Sequence, residues 1–312
     1  MQATQFNGIF HFKYLVWKYS TEKESKSMSN QQLSPLLEHY ILGEPYYVRS
    51  GARCYPATEK ETGENFIAKV RSFPPTPSVT DAFLLSGTFK NAEDVDAYYK
   101  EEARGLCRQA AILNALSHSE YFSHFTFCQT VERPDIGYDV WLLSPFRLTL
   151  AAVFEKSHLP PDVALELGIS LCSGMIQCRE MGFIYTGIKP ENIYVSAKGT
   201  FQIGDTGFVP MPSLPYAPLP DGYSTVYAPP ECRDCYSRIS ANTDVYSIGA
   251  VLYQAFNGGK LPEKLIDPPI YAGKDIASVI MKACASAPEK RFSGPSEMLN
   301  EVINCKEIPE KG

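Results

Sequence analysis

The sequence predicts an α+β fold of two lobes, in which a small β-rich lobe precedes a larger helical lobe. Short runs of β-type residues cluster between positions 40 and 70, whereas long stretches with helical periodicity dominate after position 160. The chain has 312 residues, which is enough to bury a substantial core. We therefore divide it into an N-terminal extension (1–35), a first lobe (36–144) and a second lobe (145–312).

Three β-type runs at 46–48, 52–55 and 66–70 define the first lobe, and residues 62–65 between the last two read as a hairpin turn. Residues 71–92 hold three prolines and no clear period, which predicts a loop. Apolar residues spaced by about 3.6 positions predict a helix over 93–117. A further strand is expected at 140–143, ending at Ser144 and Pro145.

The second lobe begins with a helix that starts at Pro161 and carries an apolar stripe through Cys178. Two β runs at 193–195 and 201–203 flank Gly199, which predicts a hairpin. Seven prolines between 209 and 230 disfavour regular structure there. Another helix is predicted from Asp244 to about Phe256, ending at two glycines.

Composition excludes several classes of function. The formal charge is −6, whereas general nucleic-acid binding needs a basic face. No run of 18 apolar residues is present, so no membrane-spanning helix is expected. Nine cysteines include one CxxC pair, Cys232 and Cys235, without a second pair to complete a zinc site, so no metal is expected there. Sequence alone does not choose disulfide partners.

Six short motifs follow one another in an order that resembles the protein-kinase family. They are Phe-Ile-Ala-Lys at 66–69, Tyr-Thr-Gly-Ile-Lys-Pro-Glu-Asn at 185–192, Asp-Thr-Gly at 205–207, Ala-Pro-Pro-Glu at 228–231, Asp-Val-Tyr-Ser-Ile-Gly at 244–249 and Pro-Glu-Lys-Arg at 288–291. The second is similar to the kinase catalytic loop, His-Arg-Asp-Leu-Lys-Pro-Glu-Asn, and the third to the metal-binding Asp-Phe-Gly. Together they cover about residues 40–305 and imply a bilobal protein-kinase-like fold.

The catalytic loop departs from this pattern at the position that matters most. Gly187 stands where the family has the aspartate that orients the substrate hydroxyl and accepts its proton. A general base is typically worth about 10²–10⁴ in rate. Read by itself, Gly187 is a turn glycine. The neighbouring Tyr185 and Thr186 replace the usual histidine and arginine, so we expect the loop's usual internal bonds to be lost as well.

The glycine-rich loop that covers the phosphates in kinases is also missing. The matching stretch, 43–48, reads Gly-Glu-Pro-Tyr-Tyr-Val, so Pro45 and Val48 stand at the second and third glycine positions. Pro45 has no N–H to offer a phosphate, and Glu44 would repel one. Since some relatives work without this loop, Gly187 remains the stronger indication of inactivity.

Other nucleotide-binding positions are retained. The resemblance implies that Lys69 could contact phosphates, with Glu102 as its partner on the first long helix, although a second register would place Gln109 there. Asn192 and Asp205 could still ligate Mg²⁺. All four are treated as vestigial, so no cofactor or metal is expected and only weak ATP/Mg binding is possible. Glu231 and Arg291 are expected to form a structural ion pair.

The finer resemblance is to the rhoptry-kinase family of apicomplexan parasites, and within it to the clade with no glycine loop. It rests on Ala-Pro-Pro-Glu, the 140–146 hinge strand, the long loop before the first helix and the absent glycine loop. This implies secretion into the parasitophorous vacuole or cyst wall. The function expected is that of a pseudokinase that binds or scaffolds an unidentified protein partner, and the alternatives are a nucleotide-binding regulator and an atypical kinase with residual activity.

Overall fold

The computed structural model describes residues 34–49, 51–134, 137–196, 199–211, 226–232, 239–240 and 242–307. The chain divides into two compact units, the first comprising residues up to Ile112 with His124–Phe146 and the second comprising Leu113–Ser123 with Arg147 onward. Only Ser34 and Pro35 of the expected N-terminal extension lie within the described residues, and Cys235 lies outside them.

The first unit contains a six-stranded antiparallel sheet. Its strands are β1 (Tyr40–Leu42), β2 (Tyr47–Arg49), β3 (Ala52–Glu59), β4 (Asn65–Phe73), β5 (Phe127–Glu132) and β6 (Tyr138–Pro145). The order is β1-β3-β4-β6-β5, and β2 also pairs with β3. The expected hairpin at 62–65 joins β3 to β4, with Gly63 in the left-handed conformation (φ +73°). The strands predicted from the sequence are therefore present, and most extend beyond the predicted runs.

Buried and partly exposed side chains alternate along the strands, and the buried ones form the core of this unit. In β4 every second side chain is buried, and Ala68 and Val70 pack with Leu143 of β6. β6 lies between β4 and β5, and its residues are buried up to Ser144. Tyr55 of β3 stacks on Trp141 of β6 at 6.2 Å between ring centroids. Burial of these apolar groups is the main stabilising contribution in this sheet.

Residues 71–92 were expected to form a loop, and this is wrong for their central part. Helix α1 (Pro77–Leu85) lies there, with Pro77 at its first position, where a missing N–H costs nothing. Phe83 of this helix stacks on Tyr99 of the next helix, α2 (Ala92–Leu116), and contacts Tyr98 and Phe89 edge-on. Pro77 therefore starts a helix, and aromatic packing holds it against α2.

The second unit is mainly helical. Its helices are α3 (Leu150–Phe154), α4 (Pro161–Glu180), α5 (Thr243–Phe256), α6 (Lys274–Ala283) and α7 (Pro295–Glu307). Its strands are β7 (Leu148–Thr149), β8 (Phe183–Tyr185), β9 (Ile193–Val195), β10 (Phe201–Ile203) and β11 (Phe208–Pro210). β9 pairs with β7 and β10, and β8 pairs with β11. The sheet-rich and helical units confirm the predicted α+β fold.

Helix α5 is buried almost throughout and carries a fully buried carboxylate. Asp244 accepts two hydrogen bonds from Arg179 of α4, Nε at 3.2 Å and Nη2 at 2.7 Å, and one from the Val245 N–H at 2.8 Å. Burial raises the pKa of Asp244, and the neighbouring guanidinium opposes that rise. The pair ties α4 to the helix at the centre of this unit.

Among the described residues, we find no helix that is both long and apolar enough to cross a membrane.

Candidate functional site

Gly187 lies just after strand β8, close to the segment that precedes β11. In the antiparallel pairing of β8 with β11, Tyr185 faces Phe208, and their ring centroids are 5.0 Å apart. A 3-10 turn at Pro190–Asn192 then leads into β9. The Tyr185–Asn192 segment and the Asp205–Gly207 segment are thus brought together within the second unit, as the order of the motifs predicts.

Tyr185 fills the space in which a side chain at position 187 would have to begin. Its ring is fully buried, and its hydroxyl donates to the Gly204 carbonyl at 2.5 Å. A Cβ added at Gly187 would lie 2.5 Å from the Tyr185 hydroxyl oxygen, 2.6 Å from Cζ and 3.0 Å from the Thr206 carbonyl oxygen. Real Cβ atoms essentially never make contacts this short, so no larger residue fits without moving a buried tyrosine.

The backbone conformation of Gly187 does not require a glycine, as it would at a left-handed turn position. Gly187 is not among the glycines with positive φ, so an ordinary residue could adopt its backbone conformation. What excludes a side chain is the close approach of Tyr185. Gly207 has a positive φ of 139°, and its own added Cβ would lie 3.1 Å from the Gly187 nitrogen. Two glycines therefore allow the two segments to touch backbone to backbone.

The loop keeps internal hydrogen bonds although its sequence has changed. The backbone N–H and the hydroxyl of Thr186 both donate to the Gly207 carbonyl, each at 2.9 Å. Asn192 Nδ2 donates to the Gly187 carbonyl at 3.0 Å. These bonds come from Thr186 and Asn192, so donors other than the replaced histidine and arginine join the two segments.

The residue types that could hold Mg²⁺ are placed at this loop. Because Asn192 uses its Nδ2 on Gly187, its Oδ1 is the atom that could face a cation. Asp205 is half-buried and is the non-glycine residue with positive φ in the described chain, at 72°. Left-handed backbone is uncommon outside glycine and tends to mark functional or tightly constrained positions. Both are residue types that can ligate Mg²⁺, whereas Gly187 supplies no carboxylate to act on a substrate hydroxyl.

Lys69 lies in the middle of β4 in the first unit, with Cys54 of β3 and Leu142 of β6 as its cross-strand neighbours. The two proposed partners lie on α2, where Glu102 is exposed and Gln109 is half-buried. A contact between Lys69 and Glu102 would therefore be a solvated ion pair, not the buried one expected, and such pairs are worth about 0–1 kcal/mol. The choice between the two partners remains a prediction.

The stretch aligned with the glycine loop is bound into the sheet. The Gly43 N–H donates to the Pro56 carbonyl at 2.9 Å, and the Tyr46 N–H donates to the Cys54 carbonyl at 3.1 Å. Residues from 47 onward form β2, and Arg49 faces Ala52, so the connection to β3 is only two residues long. The Gly43 and Tyr46 N–H groups of this stretch thus serve β3.

The tight turn of this hairpin includes Gly51, which the sequence analysis passed over. Its φ is +73°, and a Cβ there would lie 2.7 Å from Pro75 Cα. Its carbonyl also accepts a 2.7 Å hydrogen bond from the Ser72 N–H. The turn is therefore held against the end of β4, and a glycine directly before a β run was the signal that could have located it.

Glu231 and Arg291 meet as a bidentate ion pair, in the arrangement expected from their family positions. Nη1 and Nη2 of Arg291 donate to the two Glu231 carboxylate oxygens at 2.7 and 2.8 Å. Nε donates to the Ala285 carbonyl at 2.7 Å and Nη2 also donates to the Ser286 carbonyl at 3.0 Å. The guanidinium lies 5.0 Å from the Tyr246 ring centroid and is fully buried. The pair links the 3-10 turn at Pro230–Cys232 to the segment before α7.

Comparison with known proteins agrees with this arrangement. The family model described as "Protein kinase domain" matches residues 91–304. A probable serine/threonine-protein kinase of Clostridium perfringens is 25% identical over 272 residues, covering 80% of this chain and 37% of that protein. The serine/threonine-protein kinase PknB of Mycobacterium leprae is 26% identical over 172 residues, covering 48% of this chain and 27% of that protein.

A shorter match concerns a Wee1-like protein kinase of rice, Oryza sativa subsp. japonica. It is 36% identical over 101 residues, which cover 32% of this chain and 19% of the relative. The chain therefore spans less than two fifths of the length of each of these curated relatives. Since the family model covers more than half of this sequence, the chain belongs to the protein kinase domain family.

Proposed function

We propose that this chain is a catalytically inactive member of the protein kinase family, a pseudokinase that acts by binding or scaffolding another protein. The observation that carries the proposal is that the Tyr185 side chain fills the space beside Gly187. The catalytic-base position has no side chain, and the space for one is occupied by a buried tyrosine ring.

The chemistry lost at this position is specific. Phosphoryl transfer depends on positioning and charge stabilisation, and the loop carboxylate orients the attacking hydroxyl. The nearby carboxylates are poor substitutes, because Glu191 is exposed on its 3-10 turn and Asp205 occupies the metal-binding position of the motif. Loss of the base alone is expected to slow transfer by about 10²–10⁴. The relatives with kinase names support the fold, while this substitution supports inactivity.

The partner and the compartment are further proposals. Resemblance to the rhoptry kinases, and in particular to a bradyzoite pseudokinase of the clade with no glycine loop, supports a secreted protein of the parasitophorous vacuole or cyst wall. The stretch at 43–48 is consistent with that clade, since its Gly43 and Tyr46 N–H groups donate to β3. A pull-down of the intact chain from its own cell, followed by fractionation, tests both proposals.

A nucleotide-binding regulator is the second candidate, and the retained Asn192 and Asp205 favour it. Three features oppose it within the first unit. The Gly43 and Tyr46 N–H groups serve the sheet, Pro145 has no N–H, and the Phe146 N–H donates to the Asn65 carbonyl at 2.9 Å. A nucleotide would thus meet few main-chain donors on these segments.

We expect Mg-ATP to bind weakly or not at all. A solvated ion pair with Lys69 would be worth about 0–1 kcal/mol, whereas association costs on the order of 4–15 kcal/mol. Calorimetric titration at millimolar Mg-ATP, with Lys69→Ala as the matched variant, measures this. A dissociation constant in the low micromolar range that is lost in Lys69→Ala would favour the regulator over the scaffold.

The proposed inactivity is tested by incubating the purified chain with Mg²⁺ and labelled ATP. Phosphate incorporated into the chain or into a generic substrate should not exceed that of a Lys69→Ala/Asp205→Ala variant. Transfer above that control would instead support the atypical-kinase alternative.

A further inference from the structure

Two cysteines far apart in sequence place their sulfur atoms side by side on the first unit. Cys107 lies on α2 and Cys128 lies on β5, and their Sγ atoms are 3.3 Å apart. Cys128 is exposed and Cys107 is half-buried, so solvent reaches the pair. A disulfide bond is about 2.05 Å long, so the sulfurs need to approach by only about 1.3 Å to form one.

The surroundings make the two thiols unequal. Cys128 Sγ donates a hydrogen bond to Cys107 Sγ, and the Thr130 hydroxyl lies 3.4 Å from Cys107 Sγ. The hydrogen bond from Cys128, the Thr130 hydroxyl and the Arg108 charge together lower the pKa of Cys107 to about 6, against the opposing effect of burial. The pKa of Cys128 is raised by its bond to Cys107 and by burial. The lowered pKa favours the thiolate form of Cys107, and the raised pKa of Cys128 favours its thiol form.

Four of the other described thiols provide a contrast. Cys172, Cys178 and Cys284 are buried in the second unit, and burial raises the pKa of each. Cys305 on α7 is half-buried, and burial raises its pKa as well. Since the thiolate is the reactive form, an oxidant should select Cys107 over these four.

We propose that Cys107 and Cys128 form a peroxide-reactive dithiol that closes to a disulfide between α2 and β5. The Cys107 thiolate attacks one oxygen of hydrogen peroxide, the O–O bond breaks, and the departing hydroxide takes a proton to become water. Cys107 is then a sulfenic acid. The Cys128 sulfur, losing its proton, attacks the Cys107 sulfur, the S–O bond breaks, and a second water leaves. Two thiols and one peroxide thus give one disulfide and two waters, with two electrons passing from sulfur to oxygen.

The cross-link would act on a functionally placed helix. α2 carries both Glu102 and Gln109, and β5 belongs to the same sheet as β4, which carries Lys69. Closure of the disulfide would fix α2 covalently to that sheet. Oxidation would therefore hold one position of the helix relative to Lys69, and reduction would release it.

The test uses the full reduced chain. It is treated with graded hydrogen peroxide, remaining thiols are alkylated, and peptides are identified by mass spectrometry. We expect one cross-linked species joining the Cys107 and Cys128 peptides, lighter by two hydrogen atoms and reversed by a thiol reductant. Cys172, Cys178 and Cys284 should remain alkylatable. Alkylation of Cys107 and Cys128 at the level of Cys305 after peroxide, or a cross-link to another cysteine, would overturn the proposal.

Cysteine variants distinguish Cys107, the thiol that attacks peroxide, from Cys128, the thiol that attacks the sulfenic acid. Cys107→Ser should abolish the cross-link, and Cys128→Ser should halt Cys107 at a sulfenic acid that a dimedone probe captures. Cys305→Ser, the matched control, should leave the cross-link unchanged. A Cys128→Ser chain that dimedone does not label would contradict the assignment of Cys107 as the attacking thiol.

Alkylation of the reduced parent chain at pH 7 gives a readout that needs no oxidant. Cys107 should be alkylated faster than Cys305, because the pKa of Cys107 is lowered whereas burial raises that of Cys305. Equal rates at the two sites would contradict the assignment of Cys107 as the thiolate, even if a cross-link formed.

Discussion

Replacing Arg291 with alanine is expected to lower the free energy of unfolding by about 3–5 kcal/mol, because it leaves a partly buried carboxylate without its counter-charge. The Arg291 side chain is fully buried and the Glu231 side chain is 18% exposed. Removal would also leave the Ala285 and Ser286 carbonyls without the guanidinium donor. Denaturant or thermal unfolding of the second unit measures the loss.

The control for this substitution is an exposed ion pair. Lys306 on α7 contacts Glu166 on α4, and both side chains are nearly half exposed. Lys306→Ala is therefore expected to cost only about 0–1 kcal/mol. If Arg291→Ala melts within about a degree of the parent, a shift of well under 1 kcal/mol for a unit of this size, then the Glu231–Arg291 pair does not hold the unit together.

Gly187→Ala is expected to destabilise the second unit by about 2–4 kcal/mol, combining overpacking with loss of a buried hydrogen bond. The new methyl group would displace the Tyr185 hydroxyl from the Gly204 carbonyl. Gly187→Asp adds a charge at the same crowded position, so it should be at least as destabilising and should not by itself create activity.

Two further variants test whether steric overlap with Tyr185 causes the loss of stability in Gly187→Ala. Gly105 lies in helix α2, where an added Cβ would meet only Arg108 Nη2 at 3.7 Å. Gly105→Ala is therefore expected to be stabilising by up to about 1 kcal/mol. In a Tyr185→Ala background, Gly187→Ala should lose most of its cost, giving a coupling energy of about 1–3 kcal/mol. Additive effects would show that Tyr185 is not what excludes a side chain at position 187.

Local patterns predicted much of this fold. The runs at 193–195 and 201–203 appear as β9 and β10, with Ile193 facing Ile203 around a hairpin that contains Gly199. The 3.6-residue spacing over 93–117 appears as α2, displaced by one residue at each end. The spacing of apolar residues and the presence of turn residues predict such elements, because both depend on residues close in sequence.

Contacts between distant residues explain what the sequence did not predict. Helix α1 was missed because its prolines resemble a loop, while its stability comes from Phe83 packing against α2. The role of Tyr185 depends on Gly204 and Thr206 reaching it through the pairing of β8 with β11. Cys107 and Cys128 come together only after α2 and β5 are both in place. By contrast, the positions of Glu231 and Arg291 were inferable because their motifs are recognisable one by one.

The most direct test of inactivity is the initial rate of phosphate transfer from labelled Mg-ATP, measured for the parent, Lys69→Ala and Asp205→Ala at equal concentration. Active kinases typically turn over about 1–100 times per second, and loss of the base should lower this by at least about 10². We therefore expect a parent rate below about 1 per second that neither variant changes. A parent rate at or above about 1 per second that falls to background in both variants would show that the chain is an active kinase.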